Sequence, residues 1–142
     1  MKSKSIGIIF LFFSSFSNSN AQLTISILNI EENRGEILIA IYNSKNDFLI
    51  ESKVYKVLKI EISNKKASGS WADLPKGNYA ISLFHDINKN KKLDTNRLGI
   101  PSEPYGFSND AIGKFGPPSY EKAKFYYDGK ELAIAIKLKK LF

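Results

Sequence analysis

Hydrophobic and polar residues alternate along much of this chain with a period of two, the spacing of a strand with one buried face. Leu23-Thr24-Ile25-Ser26-Ile27 is the first such run, and Glu31 to Gly35 after it is a polar turn. Glu36 to Tyr42 (EILIAIY) is apolar on both faces, as a strand at the centre of a sheet would be. Asn43 to Lys53 is irregular and predicts a connection whose Phe48, Leu49 and Ile50 tuck back onto the core. Val54 to Ile62 is rich in β-formers, and Ala67 to Asp73 carries the only tryptophan, Trp71, as a core residue. Leu74-Pro75-Lys76-Gly77 reads as a tight turn, with Pro at its second position and Gly at its fourth. Asn78 to His85 then puts Tyr79, Ile81, Leu83 and His85 on one face. Glu131 to Leu138 does the same with Leu132, Ile134, Ile136 and Leu138. Helical character is confined to a single turn at Pro117 to Ala123, capped by Ser119. About seven short strands separated by turns predict an all-β fold, a single antiparallel β-sandwich.

One stretch breaks the pattern. His85 to Ser108 (HDINKNKKLDTNRLGIPSEPYGFS) is a long polar excursion, and loops of this length in small domains are either functional or disordered. Its acids and amides fall at fixed spacing and it ends in a Pro/Tyr/Gly/Phe cluster, which predicts order.

Composition narrows the chemistry. There is no cysteine and only one histidine, His85. Disulfides, thiolate chemistry and multi-histidine metal sites are excluded from this chain alone. Met1 to Lys4 is basic, Ile6 to Phe13 apolar, and Ser19-Asn20-Ala21 fits a small-x-small cleavage site. Residues 1–21 therefore read as a signal peptide and 22–142 as the β-sandwich domain, exported to a periplasmic or extracellular space. The apolar run is shorter than the roughly 20 residues a span needs, and no later segment is apolar enough to cross a membrane. Without a cysteine after that run, a lipoprotein anchor is not expected. The whole chain carries a formal charge of +7, and losing Lys2 and Lys4 leaves 19 basic against 14 acidic residues, or +5. The lysines are spread from Lys45 to Lys140 with no clustered patch or known motif, so no nucleic acid is expected as a partner.

Asp86, Asn88, Asn90, Lys92 and Asp94 occupy every second position. That is the odd-numbered pattern of an EF-hand-type calcium loop, with side-chain oxygens first, third and fifth, a backbone carbonyl seventh and an acid ninth. Lys91 stands where the motif's sharp turn takes Gly, and Arg97 where it takes a bidentate Glu. Glu103 is the acid that can reach back in its place. The alternative is that these side chains form Asx turns and satisfy the loop's own backbone. His85 is a candidate ligand or general base beside Asp86, or else a hydrogen-bonded plug at the core edge. Tyr105, Phe107, Phe115, Tyr120, Phe125, Tyr126 and Tyr127 crowd the region that follows, as exposed rings for a glycan or peptide or as a small second core. No Gly-rich phosphate loop or nucleophile elbow is present.

Leu74-Pro75-x-Gly77-x-Tyr79-Ala80, His85-Asp86-x-Asn88-x-Asn90-x-Lys92-Leu93-Asp94 and Gly99-Ile100-Pro101-x-Glu103 form a recognisable set. With Tyr105-Gly106-Phe107-Ser108-Asn109 and Gly116-Pro117-Pro118-Ser119-Tyr120, the chain resembles the family catalogued as domain of unknown function 2141. Members commonly carry Gly at the position of Lys91. The resemblance implies a small exported β-sandwich of the immunoglobulin-like or transthyretin-like kind, and implies no established activity. The expectation is a non-enzymatic binding domain for a protein or glycan whose ordered loop, Asp86 to Phe107, forms the binding surface, with His85, Tyr105, Phe107 and Asn109 as ligand-binding residues. Asp86, Asn88, Asn90, Lys92, Asp94 and Glu103 would hold a structural Ca²⁺. A hydrolase of envelope or extracellular polymers using Asp86, Asp94 and Glu103, and a purely structural partner domain, are the competing readings.

Overall fold

The computed structural model describes residues 21–141, so the expected signal segment lies almost wholly outside the described residues. Alternation sets the strands. β1 (Leu23–Leu28), β2 (Glu36–Tyr42), β3 (Lys56–Glu61), β4 (Ala67–Trp71) and β5 (Gly77–Asp86) follow one another with short connections, except for the longer 43–55 segment between β2 and β3. The three-residue β6 (Tyr105–Phe107) and β7 (Phe125–Tyr127) flank a single helical turn, α1 (Tyr120–Ala123), and β8 (Leu132–Lys137) closes the chain. The described residues thus form eight strands in two sheets, ordered β4-β1-β8 and β3-β2-β5-β6, with β7 also paired to β5. Among them no helix is long and apolar enough to cross a membrane.

The two sheets share one core. Leu23, Ile25, Ile27 and Ile136 from the first sheet pack with Ile37, Ile39, Ile41, Ile81 and Leu83 from the second. Trp71 and Tyr79 belong to it too, as expected. Turn and strand are clasped where β5 begins: the Tyr79 hydroxyl donates to the Pro75 carbonyl at 2.7 Å.

The structure corrects several expectations. The pairing is not antiparallel throughout, because β8 runs parallel to β1, Leu23 opposite Leu132 through Leu28 opposite Lys137. The chain enters β8 from the other sheet, so nothing forces a hairpin there. The strands number eight rather than about seven, since three-residue strands carry no periodic signature. The long excursion is shorter than its sequence suggests: β5 runs through His85 and Asp86, and Tyr105 already belongs to β6, leaving residues 87–104 as loop. Of the three residues expected to tuck back, only Phe48 packs, edge-on to Tyr42 and Tyr120, while Leu49 and Ile50 are exposed. Ser119 sits at the N-cap of α1 but its side chain makes no capping bond.

Candidate functional site

The loop after β5 is held by its own acids and amides. Asp86 is fully buried, and its Oδ1 and Oδ2 accept the N–H groups of Asn90 (3.1 Å) and Lys91 (2.7 Å). Asn88 Oδ1 accepts from Asn90 N–H at 3.1 Å and Asn90 Oδ1 from Lys92 N–H at 2.9 Å, both Asx turns. The two amide nitrogens converge on Asp94, Asn88 Nδ2 on Oδ2 at 2.6 Å and Asn90 Nδ2 on Oδ1 at 2.9 Å. Glu103 does reach back: buried, it accepts Ile87 N–H on Oε1 at 2.8 Å and Asp94 N–H on Oε2 at 3.0 Å. Beyond Asp94 the chain makes a small hairpin, with Ser102 N–H on the Asp94 carbonyl at 2.8 Å and Asn96 Oδ1 accepting from Leu98 and Ile100.

Lys91 forms the sharp turn in the conformation glycine would supply, at φ 64°, and Lys89 is also left-handed at φ 59°. Lys92 enters the calcium-type pattern only through its backbone. Glu61, Glu36 and Asp86 lie side by side across β3, β2 and β5. Lys59 offsets the repulsion from 3.5 Å of Glu36, and Lys89 stands 3.7 Å from Glu61. Among the described residues no three His, Cys, Asp or Glu side chains gather closely enough to hold a metal by themselves, so an ion here depends on amide and backbone oxygens.

His85 is buried, its Nε2 2.6 Å from the Arg34 carbonyl and its backbone N–H on the Pro104 carbonyl. Gly35, at φ 78°, follows that carbonyl, and a Cβ there would run into the Asp86 carbonyl oxygen. Asn109 is exposed and left-handed, and its Nδ2 donates to the carbonyls of Lys122 (3.1 Å) and Lys124 (2.8 Å). Tyr105 and Phe107 meet edge-to-face at 5.9 Å, and Phe107 joins Phe48 and Tyr120 in a small second core. Of the other aromatics, Tyr127 is buried in the main core with Phe125 against it, whereas Tyr126 and Phe115 are exposed.

A concavity lies on the face of the second sheet that turns away from the main core. Residues Leu38 and Ala40 alternate there with core residues Ile37, Ile39 and Ile41. Cross-strand register builds its floor in two rows, Leu38-Phe84-Tyr105 and Val57-Ala40-Ser82-Phe107. The small Ala40 and Ser82 leave a depression between the rings. The 91–101 segment supplies one wall, with Leu98 83% exposed, and the 110–118 segment another, with Phe115 94% exposed. The resulting groove has a volume of about 1100 Å³. Its lining includes Tyr105 and Phe107, but none of His85, Asp86, Asp94, Glu103 or Asn109. None of the three acids of the hydrolase reading, Asp86, Asp94 and Glu103, lines the groove.

Sequence reasoning missed most of this lining. A signal existed in the two-sided hydrophobicity of EILIAIY, which requires something to cover the outer face as well as the inner.

Two sheets around one core with a loop-walled groove on one outer face define an all-β protein. The chain belongs to the family described as uncharacterized protein conserved in bacteria (DUF2141), whose model matches residues 25–135. No curated protein and no solved structure matches it.

Proposed function

We propose that this protein is an exported, non-enzymatic β-sandwich domain of the immunoglobulin-like or transthyretin-like kind that binds a ligand in the groove on its second sheet. The observation that carries this reading is the groove itself. Concave, largely apolar sites near this size are the usual form of small-molecule sites, whereas protein partners dock on broader, flatter patches. The Tyr79–Pro75 clasp supports the sandwich assignment, since a tyrosine bonded back to the backbone just upstream is a recurrent corner of such domains.

The loop's role in this reading is to hold one wall. Asp86 and Glu103 fix its two ends, and Asn88, Asn90 and Asp94 fix its tip, so the apolar side chains from Leu93 to Pro101 are presented rigidly. A structural Ca²⁺ among Asp86, Asn88, Asn90, Asp94 and the Lys92 carbonyl would stiffen the same wall. The left-handed turns at Lys89 and Lys91 and the second lone pair on each amide oxygen favour it.

The test is binding of Nile red, a neutral apolar dye. The protein should bind it with a single-site isotherm, and Ala40→Trp, which fills the floor from an outward-facing position, should abolish binding without changing the melting temperature. Equal binding by both proteins, or by neither, would contradict the proposal.

A further inference from the structure

The charge around the groove is uneven. Lys91, Lys92, Lys114, Lys137 and Lys139 line it, against two acids, Glu51 and Asp110. Asp110 is already engaged: its Oδ1 accepts the Lys137 backbone N–H at 2.9 Å and its Oδ2 lies 4.0 Å from the Lys137 ammonium. The ion pairs formed among the described residues leave out Lys91, Lys92, Lys114 and Lys139. Lys114 instead lies 5.8 Å from the ring centre of its neighbour Phe115, at the open edge of the wall. An apolar floor with cations at the rim is complementary to a molecule with an apolar body and an anionic end. Long aliphatic lysine stems also extend the apolar surface while their ammonium groups remain in water.

We propose that the groove takes a free single-chain anionic amphiphile, a carboxylate of the fatty-acid class, with its tail on the Leu38-Phe84-Tyr105 row and its carboxylate among the rim lysines. This rests on the groove being the binding site, and deepens that reading by naming the ligand class. A monomeric ligand fits better than a membrane surface, because the Leu38-Phe84-Tyr105 row is half-buried between two walls and a bilayer would meet the exposed rim first, Leu98, Ile112 and Phe115 among it.

The test uses dansylated undecanoate, its methyl ester and the corresponding primary amine, each titrated into the purified protein and followed by dansyl fluorescence. The carboxylate should bind at least tenfold more tightly than the ester, and the amine more weakly still. Added salt should narrow that difference. Combined Lys91→Gln, Lys92→Gln and Lys114→Gln should weaken the carboxylate roughly tenfold and the ester far less, since the ester carries no charge for the lost ammonium groups to meet. Ala40→Trp, or Ser82→Phe as a second block, should remove binding of all three. Equal affinity for carboxylate and ester would overturn the anionic assignment and leave the groove standing. Binding that neither block affects, or no binding of any dansyl ligand, would remove the groove and this proposal with it. Flotation with phosphatidylglycerol vesicles in the absence of undecanoate binding would also overturn the proposal, in favour of a lipid surface.

Discussion

Ser108 shows how much of this molecule rests on single polar atoms. β6 pairs with Ser82–Phe84 of β5 and β7 with Gly77–Tyr79, which leaves Ile81 between them with no strand partner on that edge. The Ser108 hydroxyl fills the gap: it accepts the Ile81 N–H at 2.9 Å and donates to the Ala123 carbonyl at 2.5 Å, wholly buried. Ser108→Ala leaves a buried N–H and a buried carbonyl unsatisfied, and should cost about 1–3 kcal/mol in chemical denaturation. A loss below a few tenths would show that the hydroxyl is dispensable. Lys91 offers the opposite change. A side chain in the left-handed region is strained by about 1–2 kcal/mol, part of which Gly returns through its greater freedom in the unfolded chain. Lys91→Gly should therefore raise stability by up to about 1 kcal/mol in the same measurement, and a loss would place the turn elsewhere. Burial raises the pKa of the Tyr42, Tyr79 and Tyr120 phenols. The folded state then holds these protons more firmly than the unfolded one. Their contribution is complete below the unfolded value of about 10 and is lost as pH rises through the higher folded values. Melting temperature should fall as pH rises past about 10, and phenolate absorbance should show a late-titrating fraction that unfolding abolishes.

Between elements, the two sheets meet along one edge at Gly106. A Cβ there would lie 2.8 Å from the Lys137 carbonyl oxygen and 2.9 Å from the Ile136 side chain. The next contact along, Tyr105 with Lys139, is bridged by backbone bonds of 2.9 and 2.8 Å. Gly106→Ala has to push β6 away from β8, and overpacking of this kind costs about 1–3 kcal/mol. It should lower the denaturation midpoint and speed amide exchange in β6 and β8 before other strands. Uniform exchange would mean that the join is not a weak point. Element by element, the sequence was most legible where one face is buried. Leu23 to Ile27, Tyr79 to His85 and Leu132 to Leu138 show their period directly. It was least legible where partners are chosen over long range. Nothing in Leu132 to Lys137 says that it lies parallel to β1, and three residues at Tyr105 cannot show a period. The loop's acids could be picked out by spacing. Their orientation towards backbone N–H groups could not, because that depends on Glu103 crossing from the far end.

At the scale of the whole molecule, one sheet face is committed to the core and the opposite face of the second sheet is kept open by Ala40 and Ser82 between two loop walls. A Ca²⁺ ion in the loop would act only as a stiffener of one wall, and a thermal melt decides it. An ion bound at about 100 times its Kd adds roughly 2.7 kcal/mol, so millimolar Ca²⁺ should raise the melting temperature and chelator lower it. An unchanged melt removes the ion and leaves the groove intact, since the loop's own hydrogen bonds already order that wall. The most direct test of the central claim is hydrogen exchange with and without saturating dansylated undecanoate. The account predicts slowed exchange in residues 91–101 and 110–118 and along the β5–β6 pair, with β1 and β4 unchanged. Protection centred on β1, β4 and β8, or none anywhere, would contradict it.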